Sequence, residues 1–145
     1  MSKDSAKMQV VKVPVKLLRD DDIIVVNGEA YKIVIEKSRP GKNIPMDRVK
    51  HHIAGCILGG VQGLDVMHNG GDLVDKLIPT KCNMKIVSIE GDTCTLSNDG
   101  TQITGVALPR ARNNIVSRVN ANESFNLKVD NYLDLHFVIR NNPSN

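Results

Sequence analysis

Aromatic side chains are scarce in this chain of 145 residues, which has no tryptophan, two tyrosines and two phenylalanines. Proteins that bind single-stranded nucleic acids usually stack the bases on exposed aromatic rings. With so few rings, the chain is poorly equipped for base stacking. Any contact with a nucleic acid should therefore go through phosphates, sugars or shape.

Cysteine is also scarce, and long hydrophobic runs are absent. The three cysteines, at positions 56, 82 and 94, are odd in number and show no CxxC spacing, which argues against a disulfide framework. No apolar run approaches the roughly 20 residues that span a bilayer, and the first residues lack the apolar segment of a secretory signal. We therefore expect reduced thiols, a cytoplasmic location and no membrane partner.

Short segments rich in β-branched residues, separated by turn signals, dominate the chain. Residues 23–26 and 31–35 flank Asn27-Gly28, which is a strong hairpin signal, and Asn98-Asp99-Gly100 is a second one. Helical spacing of apolar residues occurs only at 112–119. The pattern predicts an all-β protein with one short helix.

The order of these segments predicts two small barrels. The second half reads as three strands, a short helix and two strands, which is the order of an OB-fold. We predict a disordered tail at residues 1–9, a first barrel at 10–82, a second barrel at 83–140 and a polar tail at 141–145. Barrels of this size have marginal cores by themselves.

Positive charge is concentrated in one segment of a chain whose net charge is +3. Residues 37–52 contain a single acid, Asp47, and five basic residues, and histidines could add positive charge at low pH. The basic residues and the histidines are Lys37, Arg39, Lys42, Arg48, Lys50, His51 and His52. Pro40 presets φ and Gly41 accepts a positive φ, so we predict a sharp reversal with Lys42 at its solvent-facing tip. From charge alone, a solvated turn and an anion-binding loop are equally good interpretations.

Other kinds of site are weakly indicated. His51 and His52 are adjacent on a predicted strand and should point to opposite faces, so they cannot easily share a metal ion, and Cys56 alone does not complete a site. The glycines at 55, 59 and 60 are not followed by the Lys-Ser/Thr of a phosphate loop. No nucleophile–base pair or carboxylate pair stands out. We therefore predict no metal, no cofactor and no enzymatic activity.

Several segments, taken in order, resemble the translation initiation factor five-A family of eukaryotes and archaea. The resemblance covers roughly residues 10–140, and bacterial elongation factor P is a more distant relative with a similar Pro-Gly-Lys tip. The segments are residues 18–34 for the opening hairpin, Pro40-Gly41-Lys42 for the modification loop, 63–67 for the next strand, 79–84 for the interdomain segment and 106–109 for a strand end in the second domain.

The resemblance implies an SH3-like barrel at residues 10–82 followed by an OB-fold domain at 83–140. It also implies that Lys42 is the residue converted to hypusine, with an aminobutyl group taken from spermidine. The modifying enzymes would be deoxyhypusine synthase and hydroxylase. The residues around Lys42 that would form the modification loop are Ser38, Arg39, Pro40, Gly41 and Asn43.

The resemblance further implies a cytoplasmic translation factor whose partners are the ribosome, tRNA and rRNA. The modified tip would approach the acceptor end of peptidyl-tRNA and promote peptide-bond formation by positioning the reactants. The candidate contacts with ribosomal RNA are Lys37, Arg39, Arg48, Lys50 and His51.

A second hypothesis is a divergent paralogue that acts as a structural or self-assembling protein without a modified lysine. The presence of Lys42 argues against it, but the segment between Lys42 and Leu64 is longer than in the family and could serve as an interface. A monomer or homodimer in solution would favour the translation factor, and open-ended growth would favour assembly.

Overall fold

The computed structural model describes residues 8–140, which form eleven β-strands, one α-helix and two short 3-10 helices. The predicted tail at 1–9 lies outside the described residues except for its last two positions, and the tail at 141–145 lies wholly outside them. The predicted all-β class with one short helix is confirmed. The helix, α1 (Asn113–Asn120), falls close to the predicted 112–119.

The chain divides into two compact units between Ile78 and Pro79. This division lies a few residues before the predicted boundary at 82/83. The reason is that the first strand of the second unit already begins at Thr80, which pairs with Asn131 in the same sheet.

The first unit is an SH3-like barrel built from one antiparallel sheet in the order β1-β6-β2-β3-β4-β5. The 3-10 helix Val15–Leu17 follows β1 and lies against β5 at the opposite edge, so the sheet curls on itself. The strands are β1 (Val10–Pro14), β2 (Ile23–Val26), β3 (Glu29–Lys37), β4 (Lys50–Ile57), β5 (Gly63–Asn69) and β6 (Leu73–Leu77). Its buried core consists of Val15, Leu18, Ile24, Tyr31, Ile33 and Ile53.

The second unit is an OB-fold with the sheet order β11-β10-β7-β8-β9. Strands β9 and β11 approach each other and close the sheet, and α1 connects β9 to β10. The strands are β7 (Thr80–Glu90), β8 (Thr93–Asn98), β9 (Thr101–Ala107), β10 (Asn126–Tyr132) and β11 (His136–Ile139). Ile115 of α1 is buried with residues of all five strands in one core.

The connection between β3 and β4 carries the segment in which the sequence analysis placed its site. It comprises residues 38–49, which we call the Lys42 loop, and it contains the 3-10 helix Met46–Arg48. Strands β3 and β4 pair up to Lys37 and His51, and β4 pairs with β5 at His51 and His68. The loop therefore leaves the sheet where three hydrogen-bonded strands lie side by side.

Candidate functional site

The tip of the Lys42 loop is a tight turn with Lys42 and Asn43 at its centre. The amide of Ile44 donates a hydrogen bond to the carbonyl oxygen of Gly41 over 3.2 Å. Asn43 has φ 63°, and turns of this kind with a positive φ at their third residue favour glycine or asparagine there. The side chain of Lys42 is exposed, as predicted from the sequence.

The predicted conformation of Gly41 is wrong. Its φ is not in the left-handed region, and Asn43 supplies the positive φ instead, because a short polar side chain tolerates that conformation. A Cβ at position 41 would lie 3.1 Å from Cδ1 of Ile44, so the exposed Ile44 side chain would have to shift by a few tenths of an ångström. The reversal is therefore shifted toward Lys42, which occupies its second position.

The base of the loop is fixed to the turn between β5 and β6. The amide of Gly70 donates to the carbonyl oxygen of Val49 over 2.9 Å, and the amide of Gly71 donates to that of Asp47 over 3.0 Å. A Cβ on Gly70 would lie 2.2 Å from the carbonyl oxygen of Met46, so only glycine permits this approach. From sequence these glycines indicate only a turn, because Met46 is distant in the chain.

Side-chain contacts hold the same base. Nζ of Lys16 lies 2.5 Å from Oδ1 of Asp47, so the one acid of the basic segment is paired outside it. Nζ of Lys37 donates to the carbonyl oxygen of Lys16 over 2.6 Å. In the turn between β5 and β6, hydrogen bonds from the Asn69 amide and from His68 lower the pKa of the Asp72 carboxyl.

The predicted role of His51 as an RNA contact disagrees with its position. Its side chain is 0% exposed, because it points to the core side of β4. Its Nδ1 accepts a hydrogen bond from the Ser38 amide over 3.3 Å. His52 points to the other face, with Nε2 2.5 Å from Oδ1 of Asp65, so the two histidines face apart as predicted.

The remaining basic candidates lie in the loop and at the start of β4. Among the residues that the structure describes, none forms a salt bridge with the exposed side chains of Arg39, Lys42, Arg48 or Lys50. Lys50 contributes to the field that lowers the pKa of Asp72. The loop and the first residue of β4 thus present four cationic side chains to solvent, and backbone hydrogen bonds hold the base of the loop.

The rest of the described chain offers little other chemistry. Within residues 8–140, no group of three or more His, Cys, Asp or Glu side chains could hold a metal ion, and no helix there has the length and apolar character needed to cross a membrane. The three cysteines are unpaired, and burial raises the pKa of Cys94 to about 11 and also raises that of Cys82.

No protein-family model matches the chain, and no curated protein sequence matches it. Solved structures that are similar in fold include the following two. One is a translation initiation factor eIF-5A family protein from Naegleria fowleri, with 16% identity and a TM-score of 0.45, covering 90% of this chain and 96% of that one. The other is eukaryotic translation initiation factor 5A from Methanococcus jannaschii, with 15% identity and a TM-score of 0.48, covering 90% and 92%. Similarity at this level establishes neither the family nor the function of the chain.

Proposed function

We propose that this protein is a cytoplasmic translation factor that binds the ribosome and tRNA through the Lys42 loop, with Lys42 modified to hypusine. The observation that carries the proposal is the position of Lys42 at the centre of an exposed turn. The order of sequence segments that resemble the translation initiation factor five-A family agrees with it.

The charge of the loop suits a phosphate-rich surface. Four basic side chains lack a salt-bridge partner among the described residues, and the acid of the segment, Asp47, is paired with Lys16. Cations that contact phosphates release condensed counterions, and this provides affinity without reading sequence. The scarcity of aromatic residues fits such a mode of binding.

The backbone supports a positioning role for Lys42. Hydrogen bonds from Gly70 and Gly71 hold the base of the loop on the barrel. A tip on a fixed base loses little conformational freedom when it binds. A lysine extended by an aminobutyl group would reach farther and carry a second ammonium, and it could orient the ends of bound tRNAs without itself reacting.

Ribosome co-sedimentation of the Lys42→Ala variant tests the proposal. Lys128 is an exposed lysine of the second unit, so Lys128→Ala is a matched control for loss of one positive charge. We expect Lys42→Ala to weaken binding about tenfold, the order of one lost charge-assisted contact, and Lys128→Ala to leave it unchanged. Equal binding by the two variants would contradict the proposal.

Mass spectrometry of the protein purified from its natural source tests the modification. We expect the peptide that contains Lys42 to carry the mass of hypusine, and the peptide that contains Lys128 to be unmodified. An unmodified Lys42 would reject hypusination and leave binding by the basic loop to be judged by co-sedimentation.

A second candidate function is self-assembly, and Val61 favours it. This side chain lies in the connection between β4 and β5 and, at 95%, is the most exposed large apolar side chain of the described residues. A second copy could bury it. Sedimentation velocity at increasing concentration tests this: open-ended growth that Val61→Ser abolishes would support assembly, and a stable monomer or dimer would exclude it.

A further inference from the structure

The buried histidine under the Lys42 loop has an unusual setting. His51 is the only polar or charged residue that is buried in the part of the chain that the structure describes. It occupies the core-facing side of β4 between Val49 and Ile53, which are both buried. An apolar residue would fit the pattern of this strand, so the imidazole calls for an explanation.

One nitrogen of the ring is bonded to the loop. Nδ1 of His51 accepts the hydrogen bond from the Ser38 amide, and Ser38 is the first residue of the Lys42 loop. A ring nitrogen accepts only when it carries no proton, so this contact requires a neutral imidazole with its proton on Nε2.

The other nitrogen is buried without a partner. Among the described residues, no group forms a hydrogen bond with Nε2 of His51. The turn between β5 and β6 closes over it, since a Cβ on Gly70 would lie 3.1 Å from Nε2. A buried N–H without a partner destabilises a fold, so this imidazole is unfavourable on the Nε2 side, whereas its Nδ1 makes a hydrogen bond to the loop.

We propose that His51 is the positioning residue of the Lys42 loop, and that protonation of its imidazole releases the loop. The neutral ring fixes the Ser38 amide and with it the point where the loop leaves β3. A second proton turns Nδ1 into a donor that faces the donor of Ser38, so the contact breaks. The loop is held at higher pH and freed at lower pH. Any effect of loop release on ribosome binding rests on the proposed function, whereas the release itself does not.

The charged groups around the ring offer no stabilisation to a protonated His51. In the sheet, Lys37 of β3 and His68 of β5 lie opposite His51. The nearby carboxylates are engaged elsewhere: that of Asp47 with Lys16, and that of Asp72 with His68 and the Asn69 amide. The titratable and charged groups of the surrounding elements include Lys16, Glu36, Lys37, Asp47, Arg48, Lys50, His52, Asp65, His68 and Asp72. Glu36 and Asp65 pair with His52 on the opposite face of β4. An imidazolium in this site would thus lack a carboxylate of its own.

A pH titration of backbone amide NMR signals tests the proposal with two variants of the full chain. In His51→Asn, the side-chain oxygen can accept from Ser38 but does not titrate. His52→Asn is the matched control on the opposite face of the same strand. We expect the amides of Ser38 and Lys42 to shift as the pH is lowered in the wild type and in His52→Asn, and the shift to be lost in His51→Asn. A shift that persists in His51→Asn, or that disappears in His52→Asn, would overturn the proposal.

The tautomer of His51 can be read directly in the wild-type protein, so the proposal stays testable even if a variant does not fold. We expect the side-chain nitrogen signals at pH 8 to show the proton on Nε2. A proton on Nδ1 would overturn the proposal. Neither measurement involves the ribosome, so a failure here is distinguishable from a failure of the proposed function.

Discussion

Gly70 shows how a single residue in one loop sets the conformation of another. Its Cα faces the carbonyl oxygen of Met46, and its amide donates to Val49 at the end of the Lys42 loop. A side chain at this position cannot be accommodated without moving the loop base. The placement of the loop base thus depends on a residue that lies far from it in the sequence.

Gly70→Ala is expected to lower the free energy of unfolding by about 1–3 kcal/mol, the usual cost of forcing atoms into a filled space. It should also weaken ribosome binding, because the loop base must shift. The matched control is Gly63→Ala, whose new Cβ would meet the Gly55 carbonyl at an ordinary 3.6 Å. Urea unfolding of the two variants checks the prediction, and equal stability would contradict it.

The buried thiol of Cys94 leads us to expect that the free energy of unfolding falls at alkaline pH. Burial raises its pKa from the ordinary 9.0 to about 11, so the folded state keeps the neutral thiol where the unfolded chain ionises. Its contribution to stability is complete below pH 9 and is lost as pH rises toward 11, by at most about 1.4 kcal/mol per pH unit. We expect the stability difference between wild type and Cys94→Ala to shrink over this range. Parallel curves of unfolding free energy against pH would contradict it.

At the scale of elements, the sequence predicts those features that depend on neighbouring residues, namely turn types and the alternation of side chains along a strand. The hairpin of β2 and β3 is confirmed because Asn27 and Gly28, with φ 53° and 79°, are the residue types that such a turn requires. Alternation along β4 correctly placed His51 and His52 on opposite faces. It could not say which face is buried, because that depends on the strands and turns packed against them.

The loop itself was only partly predictable. Its charge and the exposure of Lys42 follow from neighbouring residues. The transfer of the positive φ from Gly41 to Asn43, the anchoring by Gly70 and the hydrogen bond from Ser38 to His51 depend on contacts between distant segments. Such contacts leave no periodic pattern in a single sequence.

We expect the loss of Asp47, the acid of the Lys42 loop, to have little effect on the stability of the protein. Asp47 is exposed and pairs with the exposed Lys16, and surface pairs of this kind contribute about 0–1 kcal/mol. Asp47→Asn should therefore leave the urea midpoint almost unchanged and strengthen ribosome binding at low salt, since the loop gains net positive charge. A control is Asp99→Asn in the second unit, which changes the net charge equally. Equal effects of the two substitutions on binding would contradict the assignment of binding to the loop.

At the scale of the whole molecule, a modest net charge of +3 conceals an uneven distribution. Arg39, Lys42, Arg48 and Lys50 lie in or beside the Lys42 loop of the first barrel, and none of them has a salt-bridge partner among the described residues. An anionic partner should therefore recognise one loop and not the surface in general.

Site-specific photo-crosslinking on the ribosome tests this claim most directly. A photoreactive residue replaces Lys42 in one protein and Lys128 in another, and both are irradiated with ribosomes that carry peptidyl-tRNA. We expect crosslinks to tRNA or rRNA from position 42 and none above background from position 128. Crosslinks from 128 alone, or equal yields from both positions, would contradict the account.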